Sequence, residues 1–391
     1  MRIIYIGAFR LPCYDAAAAR VLNNARALKM SGHEISFISW GGSYREMDLC
    51  SDGKYRIDGM EYIITNELEV EGSIFQKFFL LINRGQKTLS TLNAMTSQPD
   101  VIILYNANYG WTNTMLRFCY NNNIILVNDI TEWFDPNELY FFQRRANDRN
   151  MEKLQHKVKN KIVISSYLNS YYNDSNNLLV PPLCNPNDSK WGLEIEDKRV
   201  PNYDGVTLIY AGTPAKKDNL LSAIRVVNRL AIEGKSIRMI ILGCERDVFI
   251  SNNQNCFESS ELHQNIIFLG RVLQDKVPAY YKKADFMVLL REPTRKNMAG
   301  FPTKVAEAIT AGVPVITNNT SDLPRYVHDG QNGFLLGHYD DKSLYDLLLY
   351  KVLPLSVEER IRMKKNATDS SKSFNYESYI KEFDSFIKNL I

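Results

Sequence analysis

Short apolar runs without polar alternation recur along the whole chain, and they constrain its fold more than any other feature. In the first half they are RIIYIG (2–7), EISFIS (34–39), VIILY (101–105), IILVND (124–129) and KIVISS (161–166). Longer segments with helical patterning separate them. Strands that are apolar on both faces and alternate with helices are typical of a parallel sheet covered on both sides. The first half therefore predicts a doubly wound α/β domain.

The same pattern restarts after residues 180–203, a segment rich in proline, asparagine and mixed charge that is typical of a linker. The second set of runs is VTLIYAG (206–212), IRMIILG (237–243), NIIFLG (265–270), DFMVLL (285–290) and VPVIT (313–317). At 391 residues the chain is long enough for two hydrophobic cores. We therefore predict two Rossmann-like, doubly wound parallel-sheet domains facing across a cleft. They span residues 1–183 and 200–369, and a C-terminal helix within 370–391 joins the first.

The composition argues against several classes of protein. Lys plus Arg (47) nearly balances Asp plus Glu (44), and no basic stripe is present, so a nucleic-acid-binding protein is disfavoured. The first residues lack the apolar stretch of a signal peptide, and no run approaches the roughly 18 apolar residues of a membrane span. The six cysteines form no CxxC pair. We expect a cytoplasmic protein with reduced, structural thiols.

The stretch from Ala299 to Leu336 carries the most specific motif, GFPTKVAEA. Pro302 suits the first position of a helix that ends near Gly312. The exposed amides at the start of this helix, aided by its dipole, could bind sugar hydroxyls or a phosphate. The amides concerned belong to Gly300, Phe301 and Thr303. Glu307 lies one turn further in, where its carboxylate could accept the hydroxyls of a ribose. The alternative is a capped helix with a surface glutamate.

A second motif, YAGTPAKKDNLLSAI, starts at Tyr210 and joins a strand to a helix. Lys216 and Lys217 lie at this junction, beside both the strand ends and the helix N-terminus, where a diphosphate would fit. The alternative is a pair of solvated surface lysines. Ligands of open α/β sheets bind beyond the carboxyl ends of the strands, so this loop belongs to the predicted site.

The first domain offers candidates for an acceptor site. GAFRLP, which contains Gly7, follows the first strand but lacks the GxGxxG spacing of dinucleotide-binding proteins, and this weakens a dehydrogenase interpretation. VNDITEWFD places Asp129 and Glu132 after another strand, where either carboxylate could orient or deprotonate an acceptor hydroxyl. A helix-capping role is the alternative for Asp129.

Two segments combine aromatic and aliphatic residues with Lys and Arg: IFQKFFLLINRGQK (74–87) and ELYFFQRRANDRN (138–150). Peripheral membrane helices have this composition. Helix faces buried in the first domain explain it equally simply and are preferred, so peripheral membrane contact is the minority expectation.

The runs GFPTKVAEA, GVPVIT and DGQNGFLL resemble the family-four retaining glycosyltransferases of the GT-B fold, in particular bacterial capsule and cell-surface polysaccharide enzymes. The resemblance implies that Glu307 holds the nucleotide ribose and that the Gly300 and Phe301 amides contact the donor sugar. One departure is that Ala299 stands where the family usually has a glutamate that contacts a sugar hydroxyl.

The resemblance also extends to the neighbouring loops. It implies that Lys217, or else Lys216, neutralises the leaving diphosphate, with Thr213 or Pro214 where the family has an arginine. Arg291, Arg295 and Lys304 are candidates to replace that charge, and the backbone at Arg271 and Val272 would meet the nucleobase. The predicted catalytic residues are Lys217, Glu307, Asp129 and Glu132. The predicted donor-binding residues are Gly7, Gly212, Thr213, Lys216, Lys217, Arg271, Val272, Arg291, Ala299, Gly300, Phe301, Pro302, Thr303, Lys304 and Glu307.

The resemblance implies transfer of a sugar from a nucleotide diphosphate sugar, with a UDP-sugar as the first expectation, to a hydroxyl of a glycan or lipid-linked acceptor. It further implies retention of configuration. No DxD pair follows a strand, so a protein-bound metal is not implied, and no cofactor beyond the co-substrate is expected. Two alternatives are a nucleotide-sugar epimerase or sugar phosphorylase with the same architecture, and a non-catalytic nucleotide-sugar-binding subunit.

Overall fold

The computed structural model describes residues 1–12, 15–68, 85–135, 141–214, 217–253 and 262–390. The chain divides into two compact units. The N-terminal unit comprises Met1–Leu183 and Tyr376–Ile391, and the C-terminal unit comprises Cys184–Asn375. Each unit is built around its own sheet.

The sheet of the N-terminal unit has eight strands in the order β3-β4-β2-β1-β5-β6-β7-β8. All pairs are parallel except the short β3–β4 hairpin. The strands are β1 (Arg2–Leu11), β2 (Glu34–Gly42), β3 (Arg56–Ile57), β4 (Met60–Ile64), β5 (Val101–Tyr105), β6 (Ile125–Ile130), β7 (Asn160–Val163) and β8 (Asn176–Leu179). The chain reverses its direction of travel across the sheet between β1 and β5. In this class of fold, ligands bind beside such a reversal.

Helices cover this sheet. They are α1 (Ala16–Met30), α2 (Gln86–Ala94), α3 (Tyr109–Asn121), α4 (Phe141–Arg149) and α5 (Ser166–Tyr171), numbered over the described residues. The Asp15 side chain caps α1 by accepting a hydrogen bond from the Ala18 amide at 2.7 Å. Of the two segments considered for membrane contact, 74–84 and 138–140 lie outside the described residues.

The sheet of the C-terminal unit has six strands in the order β11-β10-β9-β12-β13-β14, and every pair is parallel. The strands are β9 (Val206–Ala211), β10 (Ile237–Leu242), β11 (Ile266–Phe268), β12 (Phe286–Leu289), β13 (Val315–Asn318) and β14 (Gly333–Leu336). The chain reverses its direction of travel between β9 and β12. The helices are α6 (Leu220–Ile232), α7 (Arg246–Ser251), α8 (Val277–Lys282), α9 (Arg295–Ala299), α10 (Thr303–Thr310), α11 (Asp341–Leu347) and α12 (Val357–Ser370).

The two parallel sheets confirm the fold class predicted from the apolar runs. Strands β1, β5, β9, β10 and β12 are almost wholly buried, as runs without polar alternation require. Among the described residues, no helix combines the length and the apolar character needed to cross a bilayer. The described cysteines, Cys50, Cys119, Cys184 and Cys244, are free thiols, and Cys13 and Cys256 lie outside the described residues.

The last helix, α13 (Ile380–Lys388), belongs to the N-terminal unit. Phe383, Phe386 and Ile387 are buried in the same apolar cluster as Val21 and Leu28 of α1. The chain thus returns after the whole C-terminal unit to complete the first core.

Replacement of Phe383 by alanine should destabilise the N-terminal unit by about 3 to 5 kcal/mol, because the phenyl ring is fully buried and its loss leaves a cavity. Chemical denaturation followed by circular dichroism measures this change. Tyr120→Ala is the matched control, since that ring is 85% exposed. Equal stability of the two variants would contradict the packing of α13.

Lys161, on β7, is a buried cation, and no carboxylate of the described residues pairs with it. Its ammonium donates to the Val158 carbonyl and the Ser175 hydroxyl, each at 2.5 Å, and lies 4.9 Å from the centre of the Tyr172 ring. Burial lowers the pKa of Lys161 to about 8, against a partial counter-effect from Asp174. The protonated form is therefore costly in the folded state at neutral pH.

The free energy of unfolding of the unaltered protein, measured relative to that of Lys161→Met, should increase by about 2 kcal/mol between pH 7 and pH 10. Above about pH 8 the folded lysine is mostly neutral while the unfolded lysine, with its ordinary pKa of about 10.4, still holds its proton, so unfolding takes up a proton and is opposed as pH rises. Urea denaturation at both pH values measures the difference. Lys54→Met, on an exposed ion pair, should show no such trend, and a pH-independent difference for Lys161→Met would refute the depressed pKa.

Candidate functional site

The carboxyl ends of β9 and β12 form the reversal point of the C-terminal sheet, and charged side chains gather there. Asp218 lies in the loop after β9, Arg291 in the loop after β12, and Lys304 in the first turn of α10. The arrangement places residues from three separate segments of the sequence at the edge where open α/β sheets bind ligands.

The Asp218 carboxylate is the centre of this group. Its Oδ1 lies 2.7 Å from the Arg291 Nη2 and accepts from the Arg291 Nε at 2.8 Å. Its Oδ2 accepts from the Tyr210 hydroxyl at 2.7 Å and from the Lys304 ammonium. Lys304 also donates to the Tyr210 oxygen at 2.7 Å. One carboxylate thus binds two cations.

Burial and charge act in opposite directions on Asp218. Burial by itself raises the pKa of the Asp218 carboxyl, but the charges of Arg291 and Lys304 outweigh it and hold the pKa at about 2. Burial and the adjacent Asp218 charge raise the pKa of the Tyr210 hydroxyl far above its ordinary value. At neutral pH the cluster therefore contains one anion, a neutral tyrosine and two cations, and it carries an excess of positive charge.

Gly212 allows Lys304 to approach the end of β9. A Cβ built on Gly212 would lie 2.5 Å from the Lys304 Cε, and the Gly212 φ of +124° is a conformation that side chains rarely adopt. Gly212, predicted as a donor-binding residue, lies where it leaves room for a close approach of the lysine stem to the backbone.

Asn318, the last residue of β13, holds the loop that carries Arg291. Its Oδ1 accepts from the Arg291 amide at 2.8 Å, and its Nδ2 donates to the Arg291 carbonyl at 2.7 Å. Sequence reasoning missed Asn318, Asp218 and Tyr210. The only signal for Asp218 was its place directly after the lysine pair, and Asn318 had none beyond its position at a strand end.

The predicted donor role of Arg291 needs correction. Its side chain is only 6% exposed, and its guanidinium is occupied by Asp218. Arg291 is therefore a buried member of the cluster that stabilises the Asp218 carboxylate. Lys304, with 17% of its side chain exposed, is the more accessible of the two cations.

The loop before α10 also differs from expectation. The Gly300 amide donates to the Lys296 carbonyl at 2.9 Å and so closes α9, which leaves it unavailable to a sugar. Pro302 is the residue that caps α10, one position before its first helical residue. Ala299 is fully buried, so its side chain cannot contact a donor. These findings correct the predicted roles of Gly300 and Ala299.

Phe301 and Thr303 keep the predicted position at the start of α10. The Phe301 ring is buried and packs edge-on against Tyr326 at 5.4 Å between ring centroids, and it also contacts Phe374. Within the described part of the chain, no hydrogen bond is recorded for the amide of Phe301 or of Thr303. These two amides remain candidates for a ligand.

Glu307 lies one turn into α10 and is partly exposed. Burial raises the pKa of its carboxyl, and the charges of Lys190 and Lys304 partly counter this. Lys190, in the segment before β9, was not foreseen as a neighbour of this glutamate. Among the described side chains, none forms a hydrogen bond with the Glu307 carboxylate.

The other predicted donor residues occupy the loops around this cluster. The Gly243 amide donates to the Gly270 carbonyl at 2.6 Å, which joins the loops after β10 and β11. Arg271 is exposed and Val272 partly exposed after β11, while Thr213 is exposed and Lys217 partly exposed after β9. Lys216 lies outside the described residues.

Asp129, predicted as a candidate base, is a buried structural residue of the N-terminal unit. It lies within β6, where its carboxylate pairs with the Arg20 Nη2 at 2.8 Å and accepts from the Tyr5 hydroxyl at 2.5 Å. Both members of the ion pair are almost fully buried, and Arg20 also donates to the Val180 carbonyl at 3.0 Å. Contact with an acceptor hydroxyl and the capping role are therefore both wrong for Asp129.

Glu132 has the position that Asp129 lacks. It follows the carboxyl end of β6, is partly exposed and lies near the buried Tyr105 hydroxyl, whose pKa its charge helps to raise, after burial as the largest cause. Gly7 packs on the Tyr105 backbone, because a Cβ there would lie 2.8 Å from the Tyr105 carbonyl oxygen. Glu132 thus stands near the reversal point between β1 and β5. Across the described ranges, His, Cys, Asp and Glu side chains form no group of three or more that could hold a metal ion.

Residues 194–370 match the family model for glycosyl transferases group 1. An uncharacterized 41.2 kDa protein in the cps region of Klebsiella pneumoniae is 28% identical over 131 residues, or 33% of this chain and 35% of that protein. A putative colanic acid biosynthesis glycosyltransferase, WcaL, of Salmonella typhimurium is 29% identical over 133 residues, or 33% of this chain and 32% of that protein. The matches thus span about a third of these relatives.

Solved structures share the fold over the whole chain. A sucrose-phosphate synthase from Thermosynechococcus elongatus superposes with a TM-score of 0.72 at 15% identity, covering 100% of this chain and 98% of that one. The Anabaena protein Alr3699/HepE, in complex with UDP and glucose, has a TM-score of 0.68 at 12% identity with complete coverage of both chains. The chain therefore has the GT-B fold, and its segment 194–370 matches the family model for glycosyl transferases group 1.

Proposed function

We propose that this protein is a glycosyltransferase that moves a sugar from a nucleoside diphosphate sugar to a hydroxyl of an acceptor in surface polysaccharide or glycoconjugate biosynthesis. The observation that carries the proposal is the cationic cluster of Lys304 and Arg291 around Asp218 at the reversal point of a group 1 domain. The proposal includes retention of configuration, which rests on the family resemblance, and catalysis without a protein-bound metal.

The cluster suits a diphosphate because its charges do not cancel. Lys304 and Arg291 share the Asp218 carboxylate. Lys217, which precedes Asp218 in the loop after β9, adds a third positive charge near Lys304. Charge that develops on the leaving phosphate would meet a preorganised cation at the edge of a buried site, where electrostatic stabilisation is strongest. Most of the catalysis would then come from positioning and charge neutralisation, with Lys304 and Lys217 as the phosphate ligands.

Glu307 is the proposed ribose ligand, and the amides of Phe301 and Thr303 are the proposed contacts for the donor sugar or phosphate. Because Ala299 offers no carboxylate, sugar recognition falls to other groups. The nucleobase would meet the backbone after β11, at Arg271 and Val272. A UDP-sugar is the first donor to test, supported by the complex of the structurally similar HepE with UDP and glucose.

On the acceptor side, Glu132 is the proposed group that orients or deprotonates the attacking hydroxyl. In a retaining reaction without a protein nucleophile, the acceptor attacks from the face that the diphosphate leaves, and the proton of the attacking hydroxyl passes to Glu132. The acceptor is proposed to be a glycan or a lipid-linked glycan, supported by the similarity to WcaL, a putative colanic acid biosynthesis glycosyltransferase. A cytoplasmic location with peripheral contact to the inner face of the membrane would suit a lipid-linked acceptor.

Thermal denaturation in the presence of EDTA should reveal the donor. A nucleoside diphosphate at 100 times its dissociation constant should stabilise the protein by about 2.7 kcal/mol. UDP, GDP, ADP and CMP, with their sugar conjugates, form the test set. Lys304→Met and Glu307→Gln should each weaken binding about 10- to 100-fold, since each removes a hydrogen bond to a charged group.

Lys342→Met is the control for the loss of a lysine charge, because this lysine of α11 has 85% of its side chain exposed. Binding of no nucleotide by the unaltered protein would remove the proposed function. Binding without hydrolysis or transfer to any acceptor would favour a non-catalytic subunit. Isomerised nucleotide sugar, or a sugar phosphate formed with inorganic phosphate, would favour an epimerase or a phosphorylase.

Glu132→Gln and Asp129→Asn should separate chemistry from structure in the N-terminal unit. Glu132→Gln should lower the turnover number by about 10²- to 10⁴-fold with little change in stability, as loss of a general base does. Asp129→Asn should cost about 3 to 5 kcal/mol of stability, because Arg20 is left as an unpaired buried charge. Initial rates of transfer and urea denaturation measure the two effects. The reverse pattern would return Asp129 to the active site.

A further inference from the structure

Asp218 ties together the three segments that build the proposed diphosphate subsite. It lies in the loop after β9, it binds Arg291 from the loop after β12, and it binds Lys304 from α10. Its own side chain has no exposed surface, so it cannot reach a ligand. Its position is that of a support for groups that can.

We propose that Asp218 is the positioning residue of the diphosphate subsite, which fixes the Lys304 ammonium beside Gly212 and keeps it charged. This inference rests on the proposed function, since it assigns the means by which the phosphate-binding lysine is presented. Asp218 touches no donor atom and acts through Lys304 alone.

The charge balance explains why the carboxylate is needed. Arg291 cannot lose its proton, and it lies buried against the same carboxylate as Lys304. Without Asp218, two buried cations would face each other with no anion between them. A buried lysine relieves such repulsion by releasing its proton or by moving into solvent. Either response would remove the ligand from the diphosphate.

The charged neighbours of Lys304 fit this account. The pKa of Lys304 is lowered, with burial as the largest cause; the charge and hydrogen bond of Asp218 oppose the shift, and Arg291 and Lys217 add to it. The neutral Tyr210 hydroxyl accepts from the ammonium, and Glu307 lies on the same helix, where Lys304 influences its carboxyl. Asp218 is therefore the anion that directly offsets burial and the two neighbouring cations.

The geometry also leaves Lys304 able to bind. An ammonium has three N–H donors, and in the described chain two of them are used, one by Asp218 and one by Tyr210. The partly exposed side chain can direct the third towards a phosphate oxygen. Asn318 fixes the other partner through both backbone groups of Arg291, so the whole cluster is held at the strand ends.

The first experiment follows the proton on Lys304 itself. Competitive labelling of the full chain with trace acetic anhydride, read by peptide mass spectrometry, gives the reactivity of Lys304 against pH. In Asp218→Asn the apparent pKa of Lys304 should fall by at least one unit relative to the unaltered protein. Asp341→Asn, which removes the carboxylate of an exposed pair with Arg225 in the same unit, should leave it unchanged.

The second experiment measures UDP affinity by calorimetry between pH 7 and pH 9.5. In Asp218→Asn the dissociation constant should rise by about tenfold for each pH unit above the pKa of Lys304, and in the unaltered protein the same rise should begin only at a higher pH. Asp218→Asn combined with Arg291→Met should recover much of the affinity and flatten the profile, because removal of the second cation relieves Lys304. A role in folding alone would alter melting temperature without this dependence on pH.

The outcomes are separable. An unchanged apparent pKa of Lys304 in Asp218→Asn overturns the inference. A lowered pKa together with a UDP affinity that does not depend on pH also overturns it. A lowered titration together with pH-dependent affinity and rescue in the double variant supports it. If the unaltered protein binds no nucleoside diphosphate, the proposed function fails. In that case the labelling result still decides whether Asp218 keeps Lys304 charged, but the proposal that Asp218 positions a phosphate ligand is overturned.

Discussion

A fully buried carboxylate paired with an arginine lies at the centre of each unit, and the positions of the surrounding loops depend on these two ion pairs. In the N-terminal unit the pair is Asp129 with Arg20, and in the C-terminal unit it is Asp218 with Arg291. A charge without a partner is too costly inside a protein, so each carboxylate must bring its arginine to it. In both units a tyrosine of the central strand donates to the same carboxylate.

The two pairs differ in what else they hold. Asp129 binds only groups that are themselves buried, and Arg20 extends the network to the backbone that leaves β8. Asp218 also binds Lys304, whose side chain is partly exposed. The same kind of buried Asp–Arg ion pair therefore stabilises the core of one unit and forms part of a cationic site in the other. The additional lysine makes the difference, and Gly212 provides the space for its stem.

Much of the fold could be predicted from the sequence because burial of a parallel strand leaves a local signature. The runs at β1, β5, β9 and β10 are mostly apolar, and the structure places each between two other strands of its sheet. The candidate site was predicted less completely. GFPTKVAEA located the start of α10, but the Gly300 amide is consumed by α9 and Arg291 is bound to Asp218. The first contact depends on a short helix, α9, that the sequence analysis did not predict. The second joins positions 73 residues apart and so leaves no mark in the local sequence.

By itself the sequence determined the two-sheet architecture, the resemblance of segment 194–370 to glycosyl transferases group 1 and the loops in which charged residues would gather. These follow from strand burial and from short motifs, which depend on neighbours along the chain. Only the tertiary structure decided which charges are free to act. Asp129 and Asp218 are both aspartates close to the end of a strand, yet one is held at the core by Arg20 and the other presents Lys304. Partners more than 70 positions away set that distinction, because the energy of a buried charge depends on the groups that surround it in space.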